Sequence, residues 1–338
     1  MNARLRTTLA AALSVLLLGG AAAYCVSAVL DYQARQASTA STKSASIGAH
    51  GGSERIVFRS TTPDADYGLV ASVAANAPDE ARRVSSTVCD RVYSEAGTTV
   101  CLRIDRGILT TFSANLLADD GTPASAWALP GIPSRARVSN DGTLVAFTSF
   151  VTGESYASIG FSTATRIVDT AGADHGNLEE FTLLLDGEPN TAVDRNFWGV
   201  TFADDDSTFY ATGATGGTTW LVRGDLEART LTGIRPGAEC PSLSPDGSRI
   251  AYKKNVSTTG SVHWAVAVLD LTTNEETVLS DPRSIDDQVE WLDDETLLYA
   301  VPRSGATGDS DVWSASASGG GEPALFIEHA SSPSVVRE

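Results

Sequence analysis

The sequence predicts an all-β fold: a six-bladed β-propeller with ring closure by the C-terminal strand, preceded by one N-terminal transmembrane helix. Three observations carry that reading. From Glu54 onward short β-rich runs alternate with turn residues, with no helical period of useful length. These runs recur in units of roughly 40–50 residues, the size of a four-stranded blade. Residues 7–30 form one uncharged apolar run. Many short strands at regular spacing argue sandwich, barrel or propeller, and the repetition selects the propeller.

The N-terminal elements come first. Residues 1–6 contain Arg4 and Arg6 and no acid, and read as a short cytoplasmic tail. Residues 7–30 would span about 36 Å as a helix, enough to cross a bilayer core. They read as a transmembrane signal anchor or a signal peptide, with Ala21-Ala22-Ala23 or Val26-Ser27-Ala28 as cleavage sites. Residues 31–53 are rich in Ser, Thr and Ala, cannot bury enough to order themselves, and read as a flexible tether. The expected location is the cell membrane, single-pass, with residues 54–338 outside the cytoplasm; secretion after signal cleavage is the alternative.

The clearest blade runs from Glu239 to Ser280. Pro241-Ser242-Leu243-Ser244 leads into the turn Pro245-Asp246-Gly247, followed by Arg249-Ile250-Ala251-Tyr252. Asp-Gly suits such turns because Gly accepts positive φ and Asp bonds its own backbone. Taking Gly97, Gly142, Asp206, Gly247 and Glu295 as equivalent markers gives spacings of 45, 64, 41 and 48. That makes five complete blades. The sixth is split: Arg55–Arg59, Tyr67–Val73 and Arg82–Ser85 lack a first strand, and Ser334-Val335-Val336 lacks a second. Pairing the two ends closes the ring and removes exposed edges.

The phrase Ser244–Tyr252, followed by the turn Leu269-Asp270-Leu271-Thr272-Thr273-Asn274, resembles the repeat of TolB-like propellers. The same repeat occurs in the propellers of prolyl-oligopeptidase-type enzymes. The resemblance covers residues 54–338. It implies protein–protein contact in the cell envelope and names no partner.

Cys89 and Cys101 are centred on Glu95, inside a required turn, so they are expected opposite each other on antiparallel strands and disulfide-bonded. No C-x-x-C occurs, so zinc-ribbon and thioredoxin-type readings fail. Residues 54–338 hold 20 basic and 41 acidic side chains, a net −21, which argues against nucleic acid as a partner. No Gly-x-Ser-x-Gly elbow or P-loop exists. His175, His263 and His329 fall in different blades, and His50 in the tether. Asp204-Asp205-Asp206 and Asp293-Asp294 occupy turn positions, which explains them without calcium. Trp220, Trp264 and Trp313 share one position in three blades and read as packing between blades. No catalytic, cofactor or metal residue is therefore assigned.

The expectation is a non-enzymatic extracytoplasmic protein-binding scaffold, its partner an envelope or secreted protein. The alternatives are a lyase or hydrolase with an acidic channel-mouth site, and a glycan or small-ligand sensor. Longer loops at Lys254–His263 and Arg303–Asp311, with the connection Asp186–Asn196, put the candidate partner-binding face opposite the Asp-Gly turns. Lys253, Lys254, His175 and His263 are its candidate residues, the two lysines forming a basic spot on an acidic body.

Overall fold

The computed structural model describes residues 54–337, apart from 119–120, 152–161, 206 and 259, together with scattered positions between 14 and 27. Those scattered positions are helical. Among the described residues no helix is long and apolar enough to cross a membrane. Most of the expected anchor at 7–30, and all of the tether at 31–53, lie outside the described residues.

In chain order, blade 1 holds β1 (Arg55–Ser60), β2 (Leu69–Ala74) and β3 (Arg83–Val88). Blade 2 holds β4 (Arg91–Glu95), β5 (Thr98–Arg106), β6 (Thr110–Leu117) and β7 (Pro123–Ala128). Blade 3 holds β8 (Gly131–Val138), β9 (Leu144–Val151), β10 (Ser162–Asp169) and β11 (Asp174–Asn177). A short 3-10 turn at Leu178–Glu180 leads to the hairpin β12 (Thr182–Leu185) and β13 (Glu188–Asn190). Blade 4 holds β14 (Asn196–Phe202), β15 (Thr208–Thr215), β16 (Thr218–Asp225) and β17 (Thr230–Pro236). Blade 5 holds β18 (Glu239–Leu243), β19 (Arg249–Asn255), β20 (Trp264–Asp270) and β21 (Glu276–Val278). Blade 6 holds β22 (Glu290–Asp293), β23 (Thr296–Pro302), β24 (Ser310–Ser316) and β25 (Ala324–Ile327). Last comes β26 (Ala330–Val336).

Each blade is a four-stranded antiparallel meander, and β26 supplies the inner strand of blade 1. Arg55 pairs with Val336, Ile56 with Val335 and Val57 with Ser334. The two ends of the propeller thus close the ring, with a β26 that starts at Ala330 and so exceeds the run Ser334–Val336 indicated by the sequence.

The core is distributed between blades. Six buried clusters fill the six seams, one per blade pair. In the seam between blades 3 and 4, Leu144 and Ile167 meet Phe197, Phe209 and Leu231. Strands covered on both faces read as near-continuous apolar runs, as in Leu144-Val145-Ala146-Phe147. Gly199 has φ +66, and a Cβ there would stand 2.8 Å from the Cys240 Cα, so glycine lets β14 and β18 approach closely beside the axis.

The 64-residue spacing has two sources. One is the connection inside blade 3 between β9, which ends at Val151, and β10, which starts at Ser162. The other is the hairpin β12–β13, which extends blade 4, with β12 pairing parallel to β17, so that sheet has six strands.

Candidate functional site

Every inner strand runs in the same direction along the axis. It starts at the mouth that carries the second-to-third-strand loops and the connections between blades, and ends at the mouth that carries the tight turns. The side chains of these strands line a channel. At its middle, Arg137 of blade 3 forms a buried ion pair with Glu290 of blade 6, on the opposite side of the ring. Tyr93 Oη of blade 2 donates to Glu290 at 3.2 Å, and Val335 N of blade 1 at 3.3 Å. Arg137 Nη2 donates to Ser242 Oγ of blade 5 at 2.7 Å and to Val289 O at 2.8 Å. Gln288 Nε2 ties Val200 O of blade 4 to Pro241 O of blade 5. All six blades meet in this knot. Burial pushes the Tyr93 phenol up, so it remains a donor.

On the turn side of the knot lies a cavity of about 820 Å³. Inner-strand ends from every blade line it, among them Glu95, Val138, Phe202, Leu243, Trp291 and Arg337. Glu95 is 4% exposed. Its Oε1 accepts from Arg337 N at 3.2 Å and Ala96 N at 3.3 Å, while Oε2 lies 3.6 Å from Arg337 Nη1. Burial, and then the Glu290 charge, push its carboxyl up to about 7. At the rim, Asn140 Nδ2 donates to Asp204 Oδ1 at 2.5 Å. The turns themselves are held by carboxylates: Asp141 Oδ1 accepts from Thr143 N at 3.0 Å and Asp246 Oδ1 from Ser248 N at 3.0 Å. The Ser244 hydroxyl and that amide keep Asp246 below the usual carboxylate range.

The opposite mouth differs from expectation. Successive strand residues point to opposite faces, so Lys253 and Lys254 on β19 do not form one basic spot. Lys253 is 5% exposed, pairs with Asp286, and lies 4.5 Å from the Trp264 ring centroid and 3.7 Å from Glu239. Lys254 pairs with Glu276 instead. His175 lies on β11 near the turn-side end, where its carbonyl accepts from Arg229 Nη1 at 2.6 Å, so it is not on the long-loop face. His263 is on that face, half-buried in the β19–β20 loop, its carbonyl accepting from Val256 N. Of the four candidate residues, His263 and Lys254, at the loop end of β19, sit on the expected side with their side chains partly open, whereas Lys253 is buried and His175 lies toward the other mouth.

That face carries exposed apolar side chains instead. Tyr67, Ile108, Leu109, Val193, Val256 and Val262 are all in its loops, Ile108 and Leu109 at the tip of the β5–β6 hairpin. The other exposed large apolar side chains of the described propeller residues are Ile132 at the start of β8 and three on the fourth strands of blades 4, 5 and 6, Ile234, Val278 and Leu325. None lies in the tight turns.

Cys89 and Cys101 are bonded, with Cα atoms 5.5 Å apart. They are not opposite each other. The β4–β5 ladder pairs Cys101 with Val92, and Cys89 precedes β4 in the connection from blade 1. The bond therefore fastens that connection to the second strand of blade 2, inside the seam shared with Val57 and Leu117.

Among solved structures, TolB from Acinetobacter baumannii aligns with a TM-score of 0.57 and 17% identity, over 84% of this chain and 67% of that one. The chain has the TolB-like six-bladed propeller fold. A putative TolB from Agrobacterium tumefaciens aligns at 0.50 and 11% identity, over 83% and 91% of the two chains. A nidogen/laminin complex aligns at 0.55 and 9% identity, over 83% and 98%. No family model matches the sequence, and no curated protein matches it.

Proposed function

We propose that this TolB-like propeller is a non-enzymatic protein-binding scaffold outside the cytoplasm, held at a membrane by residues 7–30. One observation carries the binding role: the exposed apolar side chains gather on the long-loop face, while the tight turns of the other face carry none. Rigid sheets that present variable apolar loops make a docking surface. The non-enzymatic part rests on the knot, whose ionisable groups Arg137, Glu290 and Tyr93 bond to one another and to the inner strands. The nidogen/laminin complex supplies a parallel in fold for a propeller that occurs in a protein complex.

The membrane role rests on the sequence of residues 7–30, and the partner on the charge of the body. A net −21 over residues 54–338 favours a partner whose contact surface is apolar at its centre and basic at its rim. Site-specific photo-crosslinking in membranes tests the assignment. A crosslinker in place of Leu109 should give a discrete protein adduct, and one in place of Asp141 should not. Adducts from Asp141 alone would put the partner on the turn side.

A further inference from the structure

The outer edges of the six blades are not protected alike. An unpaired strand edge invites a further strand, and charge, shortness or a covering segment blunts it. In blade 4 the fourth strand β17 is covered by β12, and the outer β13 is three residues long and holds Glu188 and Pro189. β21 has three residues and begins at Glu276. β11 and β25 have four each, β11 beginning at Asp174 and β25 ending beside Glu328. β3 begins at Arg83, and the ladder between β2 and β3 shifts register between Leu69 and Ala71. β7 is the exception. It has six residues, five of them exposed, and the sequence carries no charge from Gly121 to Ser134. Among the described residues no strand pairs beyond it.

The ladder fixes which backbone groups are open. Leu129 N donates to Phe112 O at 2.9 Å, and Trp127 pairs with Ala114 and Ser125 with Leu116 in the same register. Backbone groups alternate sides along a strand, so Ser125, Trp127 and Leu129 bond to β6, whereas Ala126 and Ala128 turn both N–H and C=O outward. Pro123 and the register shift between Leu116 and Leu117 blunt only the start of the strand. Two outward residues on either side of Trp127 form a self-complementary set. In an antiparallel pair centred on Trp127, Ala126 of each copy exchanges both bonds with Ala128 of the other, four bonds in all. Trp127 then faces its own counterpart across the two-fold axis. The edge also meets the electrostatic condition. Residues 54–338 carry a net −21, so two copies approach closely only where charge is missing.

We propose that β7 is a self-association edge, through which two copies of this chain join their second blades into one eight-stranded sheet. The edge is separate from the loop face and does not depend on the identity of any other partner. A contact of one strand lies at the small, transient end of protein interfaces, so dilute protein is monomeric and concentrated protein dimerises.

The test is sedimentation equilibrium of the full-length protein in density-matched detergent, at concentrations up to about 1 mM. The parent should pass from monomer to dimer. Ala126→Pro removes an outward N–H and no ladder bond, so it should keep the melting temperature and move the dimer midpoint roughly tenfold or more to higher concentration. Ile108→Asp, on the loop face, should leave the midpoint unaltered. Trp127→Cys in a Cys25→Ser background gives a second reading. The two thiols would meet across the axis with Cα atoms about 4.5 Å apart, within disulfide range. Ser125→Cys, whose counterpart lies four residues along and about 13 Å away, should stay unlinked. A parent that remains monomeric throughout would overturn the proposal. So would an Ala126→Pro midpoint equal to the parent's, or equal linkage from Ser125→Cys and Trp127→Cys. A photo-crosslinker in place of Ala126 that captures a different protein in membranes, and no second copy, would overturn it as well.

Discussion

Glu290→Leu should be among the most damaging single substitutions in the propeller. The carboxylate is 4% exposed, pairs with Arg137, and accepts from Tyr93 Oη and Val335 N. Leucine removes all of these acceptors and leaves the Arg137 guanidinium, itself 6% exposed, without its counter-ion. Breaking one side of a buried pair costs about 3–5 kcal/mol. For a domain of this length the unfolding entropy is roughly 0.6 kcal/mol/K, so the loss corresponds to about 5–8 °C in Tm. Differential scanning calorimetry of the single variant and of Arg137→Met with Glu290→Leu gives the decision. The double variant should recover most of the loss, because two apolar groups leave no buried charge. A single variant melting within about 1 °C of the parent, well inside that expected shift, would refute the claim that the knot joins the blades.

Further expectations concern closure, protonation and the disulfide. Deleting residues 330–338 removes β26 and bares β1 of blade 1 and the neighbouring seams, so size-exclusion chromatography should show aggregate in place of monomer. Because the folded Glu95 carboxyl sits near 7 against an ordinary value of 4.5, its contribution is intact below about pH 4.5 and is lost as pH rises through 7. The loss is roughly 3 kcal/mol, and urea titrations from acid to neutral pH should show it in the parent and not in Glu95→Gln. Reducing Cys89–Cys101, which spans 12 residues, should cost about 3 kcal/mol on the loop-entropy estimate, read as a lower denaturation midpoint under reductant.

The ring was legible in the sequence because each blade repeats local signals: Asp141-Gly142 and Asp246-Gly247 at matching turns, and apolar runs such as Ile250-Ala251-Tyr252 after them. Closure was legible because Arg55–Arg59 and Ser334–Val336 were each missing a neighbour. What failed was non-local or depended on register. The cysteines were centred on Glu95, whereas the β4–β5 ladder is centred between Ala96 and Gly97. That displacement moves the partner of Cys101 to Val92. Lys253 and Lys254 looked like one charge cluster, but strand alternation sends them to opposite faces. The hairpin β12–β13 carries short strands with no marker of which blade they join. The cavity and the knot could not be read as motifs, since their walls come from six separated strands. One signal was available: Arg137 and Glu290 are charged residues in strands destined to line the axis, and such residues need partners.

The velcro-like closure of blade 1 also imposes a schedule. Val57 and Ser334 hydrogen-bond across a sequence separation of 277 residues. During synthesis at roughly 5–20 residues per second, β1 must wait about 15–55 s for its inner neighbour to be made. Throughout that interval the edge of β1 and half of two seams stay open, and no amount of stability in blades 2 to 6 can shorten the wait. The rate at which finished rings appear is therefore set by the last few residues to emerge, and a cell that stalls before Ala330 holds a nearly complete chain that cannot yet become a propeller.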